Sequence, residues 1–365
     1  MNSSPDDTRF MATAIRLARN GLDSTSPNPR VGCVLVRNGE LIAEGWHNRA
    51  GEPHAEALAL AVAGENARGA TAYVTLEPCS HHGRTGPCAD ALVAAGIARV
   101  VVATEDPNPR VRGQGIARLR AAGIEVEVGV LASEARALNP GFFARMTRGR
   151  PWLCCKLAMS LDGRTAMASG ESQWITGESA RQDVQRLRAR SCAVMTGIGT
   201  VLRDDPRLDV RLGDAASARQ PLRVLLDSQL RTPPGARLTA GPGHALLVHA
   251  ESDPSREQAL IAAGCELLRL PDGQGRVALP ALLEALAARE CNEVLLEAGA
   301  ALCGAFAAAG LIDEYRIYMA PVLLGSNARP LMELPFEHMA ERLQLRITAV
   351  EAVGEDWRIT AVPRA

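Results

Sequence analysis

Three residues in the first quarter of the chain carry the nitrogen and sulfur donors that zinc prefers: His54, Cys79 and Cys88. Three protein ligands leave one coordination position for water, and bound Zn²⁺ lowers the pKa of that water to roughly 7. Glu56 follows His54 too closely to be a convenient fourth ligand, but it is well placed to shuttle a proton to and from the water. The set therefore predicts hydrolytic chemistry with Glu56 as the catalytic acid and base.

The order of these residues, H-x-E followed by P-C and a further Cys, is the signature of zinc deaminases, in which hydroxide attacks a carbon bearing an amino group. The gap between Cys79 and Cys88 is wider than the usual two residues. A structural zinc site is the alternative, with His81 or His82 as its fourth ligand. A structural site would not need Glu56, and we favour the deaminase interpretation.

Composition favours a two-domain protein from a reducing compartment. The 365 residues are 47% hydrophobic but only 3% aromatic, which predicts two aliphatic cores. A net charge of −1 gives no electrostatic reason to expect a nucleic-acid partner. The polar N-terminus shows no secretory signal, and no apolar run approaches the roughly 18 residues of a membrane span. We therefore expect a cytoplasmic protein without a membrane partner, in which the cysteines other than Cys79 and Cys88 are mostly core thiols.

Hydrophobic patterning in the first half predicts strands that alternate with helices around the zinc set. We expect Asp6 and Asp7 to cap a first helix that ends near Asn20, and a second helix to run from His54 to about Ala67. The predicted strands are 31–36, 41–46, 73–76, 100–103 and 124–128. The ligands then fall where strands end and helices begin, which is where open α/β sheets place their sites.

Two polar residues near this set have open interpretations. Asn28 lies in a rigid Ser-Pro-Asn-Pro turn, where its amide could hold a sugar hydroxyl or simply shape the turn. His47 is interpreted as a core or rim histidine rather than a ligand.

A domain boundary is predicted near residue 148, dividing the chain into 1–148 and 149–365. The segment contains Asn139-Pro140-Gly141 and three arginines, Arg145, Arg148 and Arg150. It could pass for a nucleic-acid-binding arm, but we interpret it as a solvated linker.

The second half predicts another α/β unit, with strands 152–159, 193–196, 223–226, 245–248 and 293–296 and a helix 178–190. The last strand runs into Glu297-Ala298-Gly299-Ala300-Ala301, which opens a further helix through Ala309. Two of its strands run into glycine turns, at Gly197 and Gly199 and at Gly299, whose free backbone N–H groups suit an anion. Neither turn is a G-x-G-x-x-G sequence, so a Rossmann domain is not supported. Gly197 and Gly199 could equally serve close packing.

Longer motifs in both halves resemble the bifunctional deaminase/reductase family of riboflavin biosynthesis over nearly the full length. They are Pro27-Asn28-Pro29-Arg30-Val31-Gly32, His54-Ala55-Glu56, residues 75–85, Glu105-Asp106-Pro107-Asn108-Pro109, Ser160-Leu161-Asp162-Gly163-Arg164-Thr165-Ala166, Ser172-Gln173-Trp174-Ile175-Thr176 and Asp204-Asp205-Pro206. The resemblance implies an α/β fold: a cytidine-deaminase-like three-layer domain followed by a dihydrofolate-reductase-like domain. Two departures are Gly86, where the family usually has Pro, and Arg203, which adds a charge ahead of the Asp pair.

The resemblance implies two reactions on one phosphoribosylated pyrimidine. The first half hydrolyses the 2-amino group of a diaminopyrimidinone ribosylamine 5′-phosphate, and the second uses NADPH to reduce the ribosyl unit to a ribityl chain. The family's cofactors are Zn²⁺ and NADPH, and we expect a homo-oligomer. The alternative is a zinc deaminase of nucleosides or nucleic-acid bases with an accessory C-terminal domain, which three Tyr and five Phe disfavour because stacking needs aromatics.

Matching the family's motifs residue by residue gives the expected sites. The zinc ligands are His54, Cys79 and Cys88, with Glu56 as proton donor. The cofactor contacts are Ala158, Trp174, Thr200, Asp204, Ser228, Gly299, Ala300, Ala301, Leu302, Cys303, Gly304 and Ala305. The substrate contacts are Asn28, Lys156, Ser172, Arg188, Leu208, Arg211 and Glu297, where the two arginines are expected to fork onto a phosphate.

Overall fold

The computed structural model describes residues 4–81, 86–212 and 219–364, and it divides into two compact units, Met1–Gly149 and Arg150–Ala365. The described part of the first unit has five strands: β1 (Gly32–Arg37), β2 (Glu40–Trp46), β3 (Thr71–Val74), β4 (Arg99–Val102) and β5 (Glu125–Val128). Its helices are α1 (Pro5–Ala18), α2 (Ala55–Ala63), α3 (Cys88–Ala94), α4 (Gln114–Ala121), α5 (Ala132–Leu138) and α6 (Pro140–Arg148). Short 3₁₀ turns follow α1 and α2.

The first unit is a three-layer α/β/α sandwich. The strands have the order β2-β1-β3-β4-β5; β1 pairs antiparallel with β2 and β3, and the last three strands run parallel. Alternation along β1 separates two cores, because Cys33 and Leu35 pack with α2, α3 and α4, whereas Val34 and Val36 pack with α1 and α5. The expected three-layer deaminase-like architecture is therefore confirmed.

The start of the first helix differs from the sequence prediction. Ser4, not Asp6 or Asp7, is the N-cap: its hydroxyl accepts a hydrogen bond from the Asp7 backbone N–H at 3.1 Å, and Pro5 occupies the first turn. The Asp7 carboxylate instead turns inward, where it accepts hydrogen bonds from Arg99 and from the Tyr73 hydroxyl. The α-helix ends at Ala18 rather than at Asn20.

The second unit contains eleven strands among the described residues: β6 (Trp152–Ser160), β7 (Arg164–Ala166), β8 (Ala193–Gly197), β9 (Leu222–Leu226), β10 (Ala245–His249), β11 (Cys265–Arg269), β12 (Glu293–Leu296), β13 (Glu314–Ala320), β14 (Arg329–Pro330), β15 (Leu345–Val353) and β16 (Asp356–Pro363). Its α-helices are α7 (Glu178–Arg190), α8 (Ile198–Asp204), α9 (Arg237–Ala240), α10 (Pro254–Ala262), α11 (Leu279–Ala288) and α12 (Ala300–Ala308).

Nine of these strands form one sheet with the order β11-β10-β9-β8-β12-β6-β13-β16-β15, and β14 pairs with β7 separately. The strands from β11 to β13 are parallel, and β16 and β15 continue the sheet antiparallel. Aliphatic cores lie on both faces, one with α11 and α12 and the other with α8, α9 and α10. The carboxyl ends of β6, β8 and β12 meet at one edge, where the second candidate site lies.

No described helix combines the length and the apolar character needed to cross a bilayer.

Candidate active sites

The three predicted zinc ligands converge in the first unit. His54 is the N-cap of α2, Cys79 lies in the loop after β3, and Cys88 is the first residue of α3. The His54 Nδ1 atom is 3.3 Å from Cys88 Sγ and 3.7 Å from Cys79 Sγ, and all three donor atoms lie within 4.8 Å of one another. One imidazole nitrogen and two sulfurs at this spacing form a donor set that suits zinc.

Electrostatics favour an anionic sulfur at Cys79. Hydrogen bonding from Cys88 lowers the pKa of the Cys79 thiol to about 4, with a further contribution from His54. The backbone N–H of Cys88, at the start of α3, also points at Cys79 Sγ at 3.3 Å. Thiolate is the form in which cysteine binds metal, so the fold prepares this ligand before any cation arrives.

The described residues supply three ligands and no fourth. His81 is exposed and does not join the cluster, and His82 lies outside the described residues. Three protein ligands are the number that a catalytic zinc site uses, with water in the fourth position.

Glu56 is buried in the first turn of α2, with only 3% of its surface exposed. Burial raises the pKa of its carboxyl group to about 7, against the opposing effect of His54. A carboxyl group with this pKa can both accept and donate a proton near neutral pH.

Asn28 and His47 form the wall beside His54. His47 is buried, its ring packs edge-on against that of His54 with centroids 5.2 Å apart, and its Nδ1 atom is 3.1 Å from the Pro53 carbonyl oxygen. If that nitrogen carries the proton, the other ring nitrogen accepts a hydrogen bond from the Asn28 side-chain amide at 3.1 Å. The amide is thereby fixed in a direction that leaves its oxygen as an acceptor.

Glu77 lies within one of the sequence motifs, but sequence reasoning assigned it no role. The buried Glu77 carboxylate accepts backbone hydrogen bonds at 2.9 Å from Gly113 and Gly115, and at 3.2 Å from Asp106 and Ile116. It therefore ties the loop after β4 and the start of α4 to the segment that carries Cys79. The donors lie 29 to 39 residues further along the chain, so local patterning could not have revealed them.

The second site is a cavity of about 960 Å³ in the reductase-like unit. It brings together fourteen of the predicted residues: Lys156, Ala158, Ser172, Trp174, Arg188, Thr200, Asp204, Leu208, Arg211, Glu297, Gly299, Ala300, Ala301 and Leu302.

Four predicted cofactor contacts do not line this cavity: Ser228, Cys303, Gly304 and Ala305. Only the beginning of α12 faces the cavity. Cys303 is fully buried in the core, and Gly304 packs so closely on Glu333 that an added Cβ atom would lie 2.2 Å from the Glu333 carbonyl oxygen. The Ser228 hydroxyl accepts a hydrogen bond from the Val277 N–H instead.

Arg188 was expected to donate two parallel hydrogen bonds to a phosphate, but in the structure it donates them to Glu297. Its guanidinium group donates to both oxygens of Glu297, at 2.6 and 2.9 Å, and to the Asp209 carbonyl at 3.1 Å. Lys156 Nζ lies 4.0 Å from the same Glu297 carboxylate. Burial is the largest single effect and disfavours the Glu297 anion, but the charge and hydrogen bonds of Arg188, together with the charges of Lys156 and Arg211, outweigh it and lower the pKa of that carboxyl group. Arg211 remains at the cavity surface, where it pairs with Asp209.

Fold and site together define a class: a zinc deaminase unit related to the cytidine deaminases, followed by a reductase unit of the dihydrofolate-reductase kind. Residues 4–104 match the family described as the cytidine and deoxycytidylate deaminase zinc-binding region. Residues 151–359 match the family described as the RibD C-terminal domain.

Full-length relatives narrow this class to one family. The riboflavin biosynthesis protein RibD of Escherichia coli is 50% identical over 361 residues, covering 96% of this chain and 97% of that protein. The Acinetobacter baumannii RibD structure is 48% identical with a TM-score of 0.92, covering 99% of both chains. The structure of a Thermotoga maritima diaminohydroxyphosphoribosylaminopyrimidine deaminase/5-amino-6-(5-phosphoribosylamino)uracil reductase is 33% identical with a TM-score of 0.87, covering 98% of this chain and 99% of that one.

The chain belongs to the RibD family, the bifunctional deaminase and reductase of riboflavin biosynthesis, whose cofactors are Zn²⁺ and NADPH. The function that the motifs predicted is confirmed, and the alternative of a nucleoside or nucleic-acid deaminase with an accessory domain is not favoured.

Proposed function

We propose that residues 1–148 carry out the deamination of a diaminopyrimidinone ribosylamine 5′-phosphate and that residues 149–365 then reduce its ribosyl unit. The observation that supports the first assignment best is the convergence of His54, Cys79 and Cys88 beside the buried Glu56. Zn²⁺ bound by this set would supply a water molecule acidic enough to act as a nucleophile near neutral pH.

Glu56 is the proton carrier in this proposal. Its carboxylate accepts a proton as water adds to the ring carbon, and its carboxyl group returns a proton to the departing amino group, which leaves as ammonia. Asn28, oriented by His47, offers its side-chain oxygen to an N–H or O–H group of the substrate.

The cavity of the second unit supports the reductase assignment. NADPH bound there would supply the hydride. The backbone N–H groups of Gly299 and Ala300, at the start of α12, suit its pyrophosphate, with Ala158, Trp174, Thr200, Asp204, Ala301 and Leu302 as further contacts. Lys156, Ser172, Leu208 and Arg211 remain as substrate contacts, and Arg188 holds Glu297 in a fixed, charged state beside them.

The two assignments can be tested on one purified protein. We expect the diamino substrate to release ammonia without NADPH, and NADPH to be oxidised only once the deaminated product has formed. Separately expressed fragments of residues 1–148 and 149–365 should divide the two activities if each unit folds alone. Ammonia release by the second fragment, or NADPH oxidation by the first, would refute the assignment of the units.

Three further features belong to the same proposal. The substrate is a small molecule rather than a nucleic acid, and nine cysteines without a disulfide bond fit a reducing cytoplasm. We also expect a homo-oligomer, because β15 lies at a sheet edge with Leu345, Ile347 and Val350 exposed. Sedimentation of the wild type and of an Ile347→Lys variant tests this point; a monomeric wild type would refute it.

A further inference from the structure

The cavity of the second unit carries more positive than negative charge. Its lining includes eight Lys and Arg side chains but four Asp and Glu side chains. Lys156 and Arg188 both face Glu297, and Arg211 is paired with Asp209. Among the described residues, however, neither the Arg203 nor the Arg329 guanidinium group has a hydrogen-bond or ion-pair partner. These two cations account for part of the excess.

Arg203 and Arg329 come from different elements and approach the same point. Arg203 lies in the last turn of α8, and Arg329 is positioned by the pairing of β14 with β7. An ideal Cβ atom on Gly170 would lie 3.2 Å from Arg329 Nη2 and 3.8 Å from Arg203 Nε. Gly170 has a φ of +96° in a turn closed by its N–H bond to Met167, so a side chain is disfavoured there on two grounds.

Two guanidinium groups that converge without an acid repel one another, and an anion between them removes that cost. A phosphate monoester suits the place best, because each planar guanidinium can donate two parallel hydrogen bonds to its oxygens and stays charged at every working pH. The turn leads directly into Ser172 and Trp174, which line the same cavity. Arg188 cannot supply this fork, since Glu297 already occupies it.

We propose that Arg203 and Arg329 form a phosphate-binding pair at the Gly170 turn, which holds a terminal phosphate of one of the two ligands of the reductase site. The proposal rests on the reductase function proposed above. The phosphate is either the 2′-phosphate that distinguishes NADPH from NADH or the 5′-phosphate of the substrate. Both are phosphate monoesters, and binding measurements can separate them.

The test compares Arg203→Met and Arg329→Met with the wild type and with Arg186→Met, which removes an exposed arginine of α7 outside the cavity lining. Calorimetry on the full chain measures four probes without turnover: adenosine 2′,5′-bisphosphate, adenosine 5′-monophosphate, ribose 5-phosphate and ribose. Loss of a charged hydrogen bond should weaken binding of the probe whose phosphate the pair holds, either adenosine 2′,5′-bisphosphate or ribose 5-phosphate, by about 10-fold or more. The Arg186→Met control should bind every probe as the wild type does.

Weaker binding of adenosine 2′,5′-bisphosphate alone would indicate that the two arginines bind the 2′-phosphate of the cofactor. Weaker binding confined to ribose 5-phosphate supports it as the substrate's phosphate site. Unchanged binding of both adenosine 2′,5′-bisphosphate and ribose 5-phosphate overturns the proposal. Equal weakening of each of these probes and of its control, adenosine 5′-monophosphate or ribose, also overturns it. Because Arg203 is exposed at a helix end, its variant reports on the site even if Arg329→Met disturbs the β14–β7 pairing. Calorimetry measures binding of probes that do not react. A failure of the proposed reductase reaction would appear in the NADPH oxidation assay and not in these binding measurements.

Discussion

The Arg188 and Glu297 side chains are joined by two parallel hydrogen bonds, from Nε to Oε1 at 2.6 Å and from Nη2 to Oε2 at 2.9 Å. The two residues lie 109 positions apart and connect α7 to the loop after β12. Because the pair is almost fully enclosed, each partner depends on the other for its charged state.

Arg188→Met should therefore destabilise the second unit. Removing one member of a buried pair typically costs about 3–5 kcal/mol, and Lys156, 4.0 Å from Glu297, would compensate only part of the charge left behind. Urea unfolding of the full chain measures the loss, and the double variant Arg188→Met/Glu297→Gln should recover part of it. A single variant as stable as the wild type would mean that the pair is not a structural element.

Arg211→Met should impair the reductase and leave deamination unchanged. Asp209 would keep Arg207, 2.8 Å away, as its partner, so the buried carboxylate is not left unpaired. If Arg211 holds the substrate phosphate, a lost charged hydrogen bond lowers kcat/KM by about 10- to 150-fold. The loss should largely vanish with a dephosphorylated substrate. Equal impairment on both substrates would assign Arg211 another task.

Glu77→Gln should weaken zinc binding indirectly, because Glu77 anchors the segment that carries Cys79. The glutamine amide presents N–H groups where the carboxylate accepts four backbone bonds, so the loop after β4 loses its anchor. We expect a lower melting temperature, partial zinc loss during dialysis and weaker deamination, with normal NADPH binding. Glu105→Gln, an exposed change in the neighbouring loop, is the matched control. Full zinc retention together with wild-type melting in Glu77→Gln would exclude the anchoring role.

Glu56→Gln should abolish most deamination while leaving the metal in place. A positioned acid and base contributes typically 10²- to 10⁴-fold, and glutamine cannot exchange the proton. Metal analysis should give the wild-type zinc content, and the reductase should act normally on deaminated substrate. Near-normal deamination by this variant is the result that this mechanism cannot accommodate.

The zinc cluster was predictable because its residues lie in short local patterns. His54 and Cys88 begin helices and Cys79 follows a strand, so that secondary structure alone brings them to one edge of the sheet. The start of α1 was mispredicted because Ser4 and Pro5 outcompete the acids that follow as cap.

Long-range partners could not be read from the sequence. The Arg188–Glu297 bond and the four donors to Glu77 depend on how distant elements meet. The final strand pair, β15 and β16, was not among the predicted strands.

Mass spectrometry of the diamino substrate incubated with the purified protein can show whether one chain performs deamination and then reduction. Without NADPH the substrate mass should rise by about one unit, as an NH group is replaced by oxygen. On addition of NADPH it should rise by about two more, from one hydride and one proton. A product reduced without prior deamination, or no mass change in either step, would contradict this order of reactions.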